Sequence, residues 1–199
     1  MASVLLVCLA SYLLGSIPNG LVFGKLIWHV DLREYGSHNI GATNAWRTLG
    51  KGPGFLIFLL DFLKGALSVG LAEVFAPLPL VMVIAGILAI VGHSCSLFLH
   101  FKGGKGVATG LGVIAMLMPL PSLIVFLVWL AIVMVTKYVS LGSCIAAALV
   151  PILSYAWGYP GAYTAFGVLA AAFIIIRHKA NIVRLMNGTE NKIHAGHRD

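Results

Sequence analysis

Apolar residues in this chain run in long unbroken blocks, and polar residues are confined to the short stretches between them. The blocks span 2–24, 55–75, 78–99, 107–118, 122–136, 139–157 and 160–176. Crossing about 30 Å of hydrocarbon takes about 20 helical residues at about 1.5 Å each. The fourth and fifth blocks are short by that measure, so length alone leaves six or seven crossings.

The placement of positive charge decides between them. With seven crossings, Lys25, Arg33, Arg47 and Lys51 share a side with Lys102, Lys105, Lys137, Arg177, Lys179, Arg184, Lys192 and Arg198. The opposite connections, around 76–79, 119–121 and 158–159, contain no Lys or Arg. Fusing 107–136 into one helix would carry the basic tail to the other side, against the positive-inside bias. Pro119 and Pro121 would also interrupt a continuous helix there. The pattern predicts an all-α integral membrane protein of seven transmembrane helices, with the N-terminus outside and the C-terminus cytoplasmic. No internal repeat, heptad register or low-complexity linker divides it, so residues 1–199 form one domain. In the first block Ser16, Gly20 and Gly24 recur every four residues, which predicts close approach to a neighbouring helix.

Composition agrees. Of 199 residues 60% are hydrophobic and 10% charged, where soluble domains average about 45–50% and about 25%; neither a soluble globule nor a disordered chain fits. The net charge of +7, from 13 Lys+Arg and 6 Asp+Glu, matters through its position rather than its size. Cys8, Cys95 and Cys144 are far apart and each lies in an apolar run, as buried thiols do. The first block has no Lys or Arg ahead of it and exceeds signal-peptide length, so it reads as a retained span.

The polar chemistry gathers on the basic side, in four places. The loop 25–53 holds Asp31, Arg33, Gly36, Ser37, Thr43, Asn44 and Arg47, offering N–H groups, hydroxyls and guanidinium to an anion. The second is Gly103-Gly104-Lys105-Gly106, immediately before a helix. Glycines let the backbone fold close to a ligand, the new helix N-terminus supplies free N–H groups, and Lys105 adds a full charge. It is not a Walker A motif, lacking the upstream Gly and the following Ser/Thr. The third is the run 137–143, where Ser140 and Ser143 can share a helix face. The fourth is the tail, where His178 and Asn181 lie three apart and Gly188 is a helix stop. Within the second block Asp61 and Lys64 lie three apart, a spacing that allows pairing of charges too costly to leave single in hydrocarbon; an indirect, structural role is the reading favoured.

Several alternatives fail. Gly110, Gly112 and Ala115 fit a degenerate dinucleotide fingerprint, but inside an apolar helix with no strand before it. There is no G-x-S-x-G, no H-E-x-x-H and no two-metal carboxylate cluster; His93 is followed by Phe98 where an H-x-x-x-x-D acyltransferase needs Asp. Nothing makes a case for nucleic acid.

Together these segments resemble the bacterial acyl-phosphate:glycerol-3-phosphate acyltransferase family, the PlsY type. The resemblance runs nearly end to end, through Gly15-Ser16-Ile17-Pro18-Asn19-Gly20, Asp31-Leu32-Arg33, Gly36-Ser37 and on to Arg47, Asp61-Phe62-Leu63-Lys64-Gly65, Gly92-His93, 101–109, 137–143 and 181–190. It implies a multi-pass acyltransferase domain of the cell inner membrane, active at the cytoplasmic face. Such an enzyme moves a fatty acyl group from acyl-phosphate to the 1-hydroxyl of sn-glycerol 3-phosphate, giving lysophosphatidic acid and phosphate, the first acylation of phospholipid synthesis. By the same resemblance Ser37, Arg47, His178 and Asn181 are catalytic residues. Thr43, Asn44, Gly103, Gly104, Lys105, Gly106 and Ser143 bind substrate, and Glu190 supports the site. No cofactor and no metal are implied, and the family leaves room for a functional link to an enzyme that makes acyl-phosphate. The chain departs from the family pattern at His38, usually Gly, and Ser96, usually Pro.

The chemistry expected of these residues is positioning of two anions and stabilisation of a departing phosphate, by direct transfer rather than through an acyl-Ser37. His178 is the first choice for the proton acceptor, with a substrate phosphate oxygen as the other. The reading from another class is a transporter of a phosphorylated solute with a midplane anion site. It expects polar residues on both membrane sides and paired broken helices, and the outer connections here are nearly bare.

Overall fold

In hydrocarbon a peptide N–H or C=O has no water to pair with, so each apolar block must satisfy its backbone internally, as a helix does. The computed structural model describes residues 1–194 and contains no strand among them; Arg198, counted above on the basic side, lies outside the described residues. The helices are α1 (Ala2–Ser16), α2 (Asn19–Trp28), α3 (Ala42–Leu49), α4 (Lys51–Phe75), α5 (Pro79–Ser94), α6 (Val107–Leu117), α7 (Pro119–Thr136), α8 (Val139–Ala156), α9 (Gly161–Arg177) and α10 (Lys179–Met186), with a 3₁₀ turn at Leu97–Leu99. By length and composition, α4, α5 with its 3₁₀ turn, α7 and α8 can each cross a membrane alone. The bent pairs α1–α2 and α9–α10 raise the count to six, and α6 is apolar but short. α3 and α10 are the short helices with polar faces. α3 lays Ala42, Ala45 and Leu49 against Leu32 and Ile57.

The first apolar block is two helices, bent by 44°. The cause is Pro18, which lacks an N–H and keeps Ile17 out of the α region, at φ −59° and ψ 116°. The break frees carbonyls in a dry place, and side chains from elsewhere take them up. Ser96 Oγ donates to the Ser16 carbonyl, and Lys64 Nζ to the Ile17 carbonyl at 3.0 Å. Proline, the usual residue of the resembled family at position 96, has no hydroxyl to do this. The glycine spacing in this block also serves a different partner from the one expected. A Cβ on Gly20 would strike the carbonyl of Ile40 and one on Gly24 that of Val30, so these positions admit the polar loop rather than a helix.

Asp61 and Lys64 form an ion pair at 2.9 Å with side chains 3% and 5% exposed, and Asn19 Nδ2 donates to the same Asp61 oxygen at 3.0 Å. With Lys64 also capping Ile17, the pair ties α4 to the broken first span, the indirect role favoured from sequence. Removing one member of a buried pair strands the other as an unpaired charge, which costs about 3–5 kcal/mol. Lys64→Met is therefore expected to lower the thermal unfolding temperature of the detergent-solubilised protein sharply. An unfolding temperature equal to that of the parent would refute this account of the pair.

The helix α6 is 11 residues, about 16 Å by rise per residue. It lies tightly on α4, because a Cβ on Gly65 would strike the Thr109 carbonyl and one on Gly112 the Phe62 carbonyl. The short helix leaves Gly106 and Lys105 at the mouth of an interior cavity.

Candidate active site

The cavity, of about 170 Å³, has one polar end and an apolar body. Ser37, Thr43, Asn44, Arg47, Lys105, Gly106, Ser140, Ser143, His178, Asn181, Arg184 and Glu190 line it, gathered from α3, α6, α8, α10 and the loops beside them. Its body follows Leu111 and Ile114 on α6, Val125, Phe126 and Trp129 on α7, Ala146, Ala147 and Val150 on α8, and Phe166, Ala170, Ala171 and Ile174 on α9. A second, apolar groove between α4, α6 and α7 shares Phe58, Leu111 and Phe126 with it.

The polar end is a connected network. Lys105 Nζ donates to Asn181 Oδ1 at 2.6 Å, and Asn181 Nδ2 donates to Glu190 Oε1 at 2.7 Å. The same Glu190 oxygen accepts from Ser140 Oγ at 2.8 Å, while Oε2 takes Arg184 Nε at 2.8 Å. Arg47 donates to the Asn191 carbonyl at 2.7 Å, yet its Nε is buried without a partner. Burial pushes Glu190 upward, but the hydrogen bonds from Asn181, Ser140 and Arg184 outweigh it and hold the carboxyl below its ordinary range. Burial also draws Arg47 down and brings Lys105 to about 8. Near neutral pH the mouth thus holds three cations, Lys105, Arg47 and Arg184, against one carboxylate. Arg184 and Glu190 neutralise each other, which leaves Lys105 and Arg47 as an unmatched positive pair.

The tautomer of His178 follows from its partner. Nδ1 lies 2.8 Å from the Ile174 carbonyl, which can only accept, so Nδ1 carries the proton and Nε2 keeps a lone pair. The ring is 3% exposed, and burial lowers its pKa to about 4, so it is neutral at pH 7.

Other expected residues are present in altered roles. Asn44 is 1% exposed, and its amide nitrogen is spent on the loop: Nδ2 reaches the carbonyls of Leu32 and Asn39 at 2.8 Å and Tyr35 at 3.0 Å. Oδ1 accepts the Ser37 N–H at 2.8 Å, which fixes Ser37 and leaves one lone pair of Oδ1 for a ligand. Gly103 and Gly104 do not line the cavity, and their N–H groups are committed to the carbonyls of Ser94 and His93, each at 3.0 Å. The helix terminus they were expected to serve is nonetheless open. Gly106, at φ 81°, starts α6 with no side-chain cap, and Gly106, Val107 and Ala108 face the cavity. Ser143 donates to the Val139 carbonyl at 2.8 Å and keeps only acceptor capacity for a ligand.

His38 stands at φ 54°, the left-handed region that glycine enters at no steric cost, which accounts for the glycine of the resembled family. Its ring is turned outward, with Nδ1 2.9 Å from the Arg33 carbonyl, so the Ser37 loop is kept. Arg184 and Arg177 were not singled out as site residues from sequence, Ser140 was noted there only as sharing a helix face with Ser143, and His93 only as a failed motif. Ser140 and Arg184 each lie three residues from an expected residue, a helical spacing that points to them. Arg177, which donates to the Gly103 and Gly104 carbonyls at 3.3 and 2.9 Å, gave no such signal.

Comparison with known proteins adds to this geometry. The sequence profile described as glycerol-3-phosphate acyltransferase matches residues 5–188. The glycerol-3-phosphate acyltransferase of Syntrophomonas wolfei subsp. wolfei is 47% identical over 192 residues, covering 96% of both chains. That of Desulforamulus reducens is 44% identical over 188 residues, covering 94% of both. The crystal structure of PlsY, an integral membrane glycerol 3-phosphate acyltransferase, superposes in its glycerol 3-phosphate form with a TM-score of 0.92 at 42% identity, covering 96% of each chain. Its lysophosphatidic acid form superposes with a TM-score of 0.89 at 41% identity, covering 96% of this chain and 95% of that one.

Proposed function

The chain belongs to the glycerol-3-phosphate acyltransferase family, and from that premise we propose that it transfers a fatty acyl group from acyl-phosphate to the 1-hydroxyl of sn-glycerol 3-phosphate, releasing lysophosphatidic acid and phosphate. One observation carries this reading: the unmatched pair Lys105 and Arg47 and the uncapped start of α6 share one cavity with an apolar body long enough for an acyl chain. Related proteins with glycerol 3-phosphate and lysophosphatidic acid forms support it over solute transport.

Glycerol 3-phosphate places its phosphate against Lys105 and the α6 terminus, where cation and free N–H groups act together. The acyl-phosphate lies with its tail in the apolar body and its phosphate toward Arg47 and Ser37. The glycerol oxygen attacks the acyl carbon, its proton passes to His178 Nε2, and the acyl C–O bond to phosphate breaks. The proton then leaves with the phosphate, so no covalent enzyme intermediate is needed. Asn181 holds Lys105, and Glu190 holds Asn181.

The membrane arrangement completes the proposal. Seven crossings result when α1–α2 counts as one and α6 as a short one, with α3 and α10 at the cytoplasmic surface, the N-terminus outside and the site facing the cytoplasm of the inner membrane. The basic residues of the connections then lie on the cytoplasmic side. The groove shared by Phe58, Leu111 and Phe126 gives the lipid product a sideways route to the bilayer.

The test is to supply purified protein with acyl-phosphate or acyl-CoA, each with glycerol 3-phosphate. Lysophosphatidic acid is expected from acyl-phosphate. A strict requirement for acyl-CoA would overturn the donor, and solute flux in sealed vesicles without turnover would overturn the reaction.

The depth of the cavity should also set chain length. Phe166, Val150 and Ile114 are the lining residues farthest from the polar end on their helices; Phe166 lies twelve residues from His178, about 18 Å down. Phe166→Ala is expected to shift preference toward longer acyl chains. Each methylene gaining a buried place contributes about 0.8 kcal/mol, roughly fourfold in kcat/KM. Competition between donors of different length measures this, and an unchanged preference would show that the chain lies elsewhere.

A further inference from the structure

We propose that His93, steered by Asp61, is a positioning residue for the Lys105 loop, setting where Lys105 and the start of α6 meet the acceptor's phosphate. The proposal rests on the acyltransferase reading above and extends it to a part of the cavity wall that no step of that chemistry uses.

His93 lies in the last turn of α5, and its side chain is 6% exposed. Its Nδ1 is buried with no hydrogen-bond partner and lies 3.7 Å from Asp61 Oδ1, the oxygen that Lys64 and Asn19 also hold. Leaving a buried polar nitrogen unpaired costs about 1–3 kcal/mol, so an apolar residue would serve better if the site only needed filling. The other side of the ring faces the loop. A Cβ on Gly104 would strike His93 Nε2, and every atom nearest to that Cβ belongs to the same imidazole. The His93 backbone carbonyl meanwhile accepts the Gly104 N–H at 3.0 Å. Arg177 holds the Gly103 and Gly104 carbonyls. The loop is therefore held both by the guanidinium and, at Gly104, by the imidazole, and Lys105 is the next residue. Because the loop's own N–H groups are spent on α5, the ring of His93 fixes the height from which Lys105 reaches Asn181. Asp61, as the acceptor facing Nδ1, sets the tilt of that ring.

The experiment compares His93→Leu, His93→Asn, Gly104→Ala and the double variant His93→Ala/Gly104→Ala in the purified full-length protein. Glycerol 3-phosphate binding is measured by calorimetry without donor, together with KM, kcat and thermal unfolding. A displacement of about 1 Å can cost up to about 100-fold, so His93→Leu is expected to weaken binding and raise KM roughly 10- to 100-fold, with kcat changed less than threefold. His93→Asn, whose amide restores a donor toward Asp61, should recover most of that loss. Gly104→Ala should weaken binding similarly, and the double variant should weaken it no further than either change alone, because both act through the same contact. The proposal is overturned if leucine and asparagine behave alike, if the loss appears only in kcat or unfolding temperature, or if the Gly104 and His93 changes add independently. If Gly104→Ala does not fold, the leucine–asparagine comparison decides alone. Failure of the parent protein to acylate glycerol 3-phosphate would refute the reaction, while donor-free binding by these variants would still decide the role of His93.

Discussion

Replacing His178 with alanine is expected to lower kcat by about 100- to 10,000-fold while KM for glycerol 3-phosphate changes only a few-fold, the span usual for loss of a general base. The Ile174 carbonyl forces the proton onto Nδ1, so the lone pair on Nε2 is available in every molecule near neutral pH. Burial keeps the ring neutral down to about pH 4 and makes it a weak base in the empty site. A bound phosphate dianion beside it favours the imidazolium and strengthens the base when the hydroxyl is ready to react. The acid limb of kcat/KM should therefore lie near 6, where the substrate phosphate dianion takes up a proton, and not at the lower pH where free His178 titrates. Steady-state kinetics on His178→Ala, with an unfolding curve to exclude collapse of α10, provides the measurement. A kcat within threefold of the parent would transfer the role of base to a substrate phosphate oxygen.

Lys105→Ala should act on the other parameter. A charge-assisted hydrogen bond is worth about 1.5–3 kcal/mol, so KM for glycerol 3-phosphate should rise roughly 10- to 100-fold, with a smaller change in kcat. The same residue sets the upper pH limit. Burial, only partly offset by Glu190, lowers the ammonium to about 8, so it is charged below that pH and loses its charge above it. In the parent protein kcat/KM for glycerol 3-phosphate should accordingly fall as pH rises through about 8. Lys105→Arg keeps its charge throughout and should abolish that limb, even if the bulkier guanidinium weakens binding at every pH. Persistence of the limb in Lys105→Arg would assign it to another group.

The residues of the site were legible in the sequence to different depths. Lys105 stood out because a cation beside glycines before a helix has few purely structural uses, and it does sit at the cavity mouth. The glycines ahead of it were read as phosphate ligands, but their N–H groups close onto α5, a partnership between separate segments that no local spacing reveals. Asn44 was expected to bind substrate from the loop it shares with Ser37, and only its four hydrogen-bonding neighbours show that it also builds that loop. His93 looked like a failed catalytic motif because the signal sought was a neighbour in sequence. Its relevant partners, Asp61 and Gly104, come from other segments.

Hydropathy, a property of each segment alone, determined that the chain is an α-helical membrane protein. The break at Pro18 was not read from the sequence, where 2–24 counted as one span, and the structure shows it as a 44° bend. What only the tertiary structure decided is which polar atoms remain free. Lys105 and Asn181 are 76 residues apart and Arg47 and Asn191 are 144 apart, and whether each donor is spent or available depends on how the helices pack. In a dry interior every polar group must find a partner. The few left without one, Arg47 Nε and His93 Nδ1 among them, emerge only once all the others have been paired.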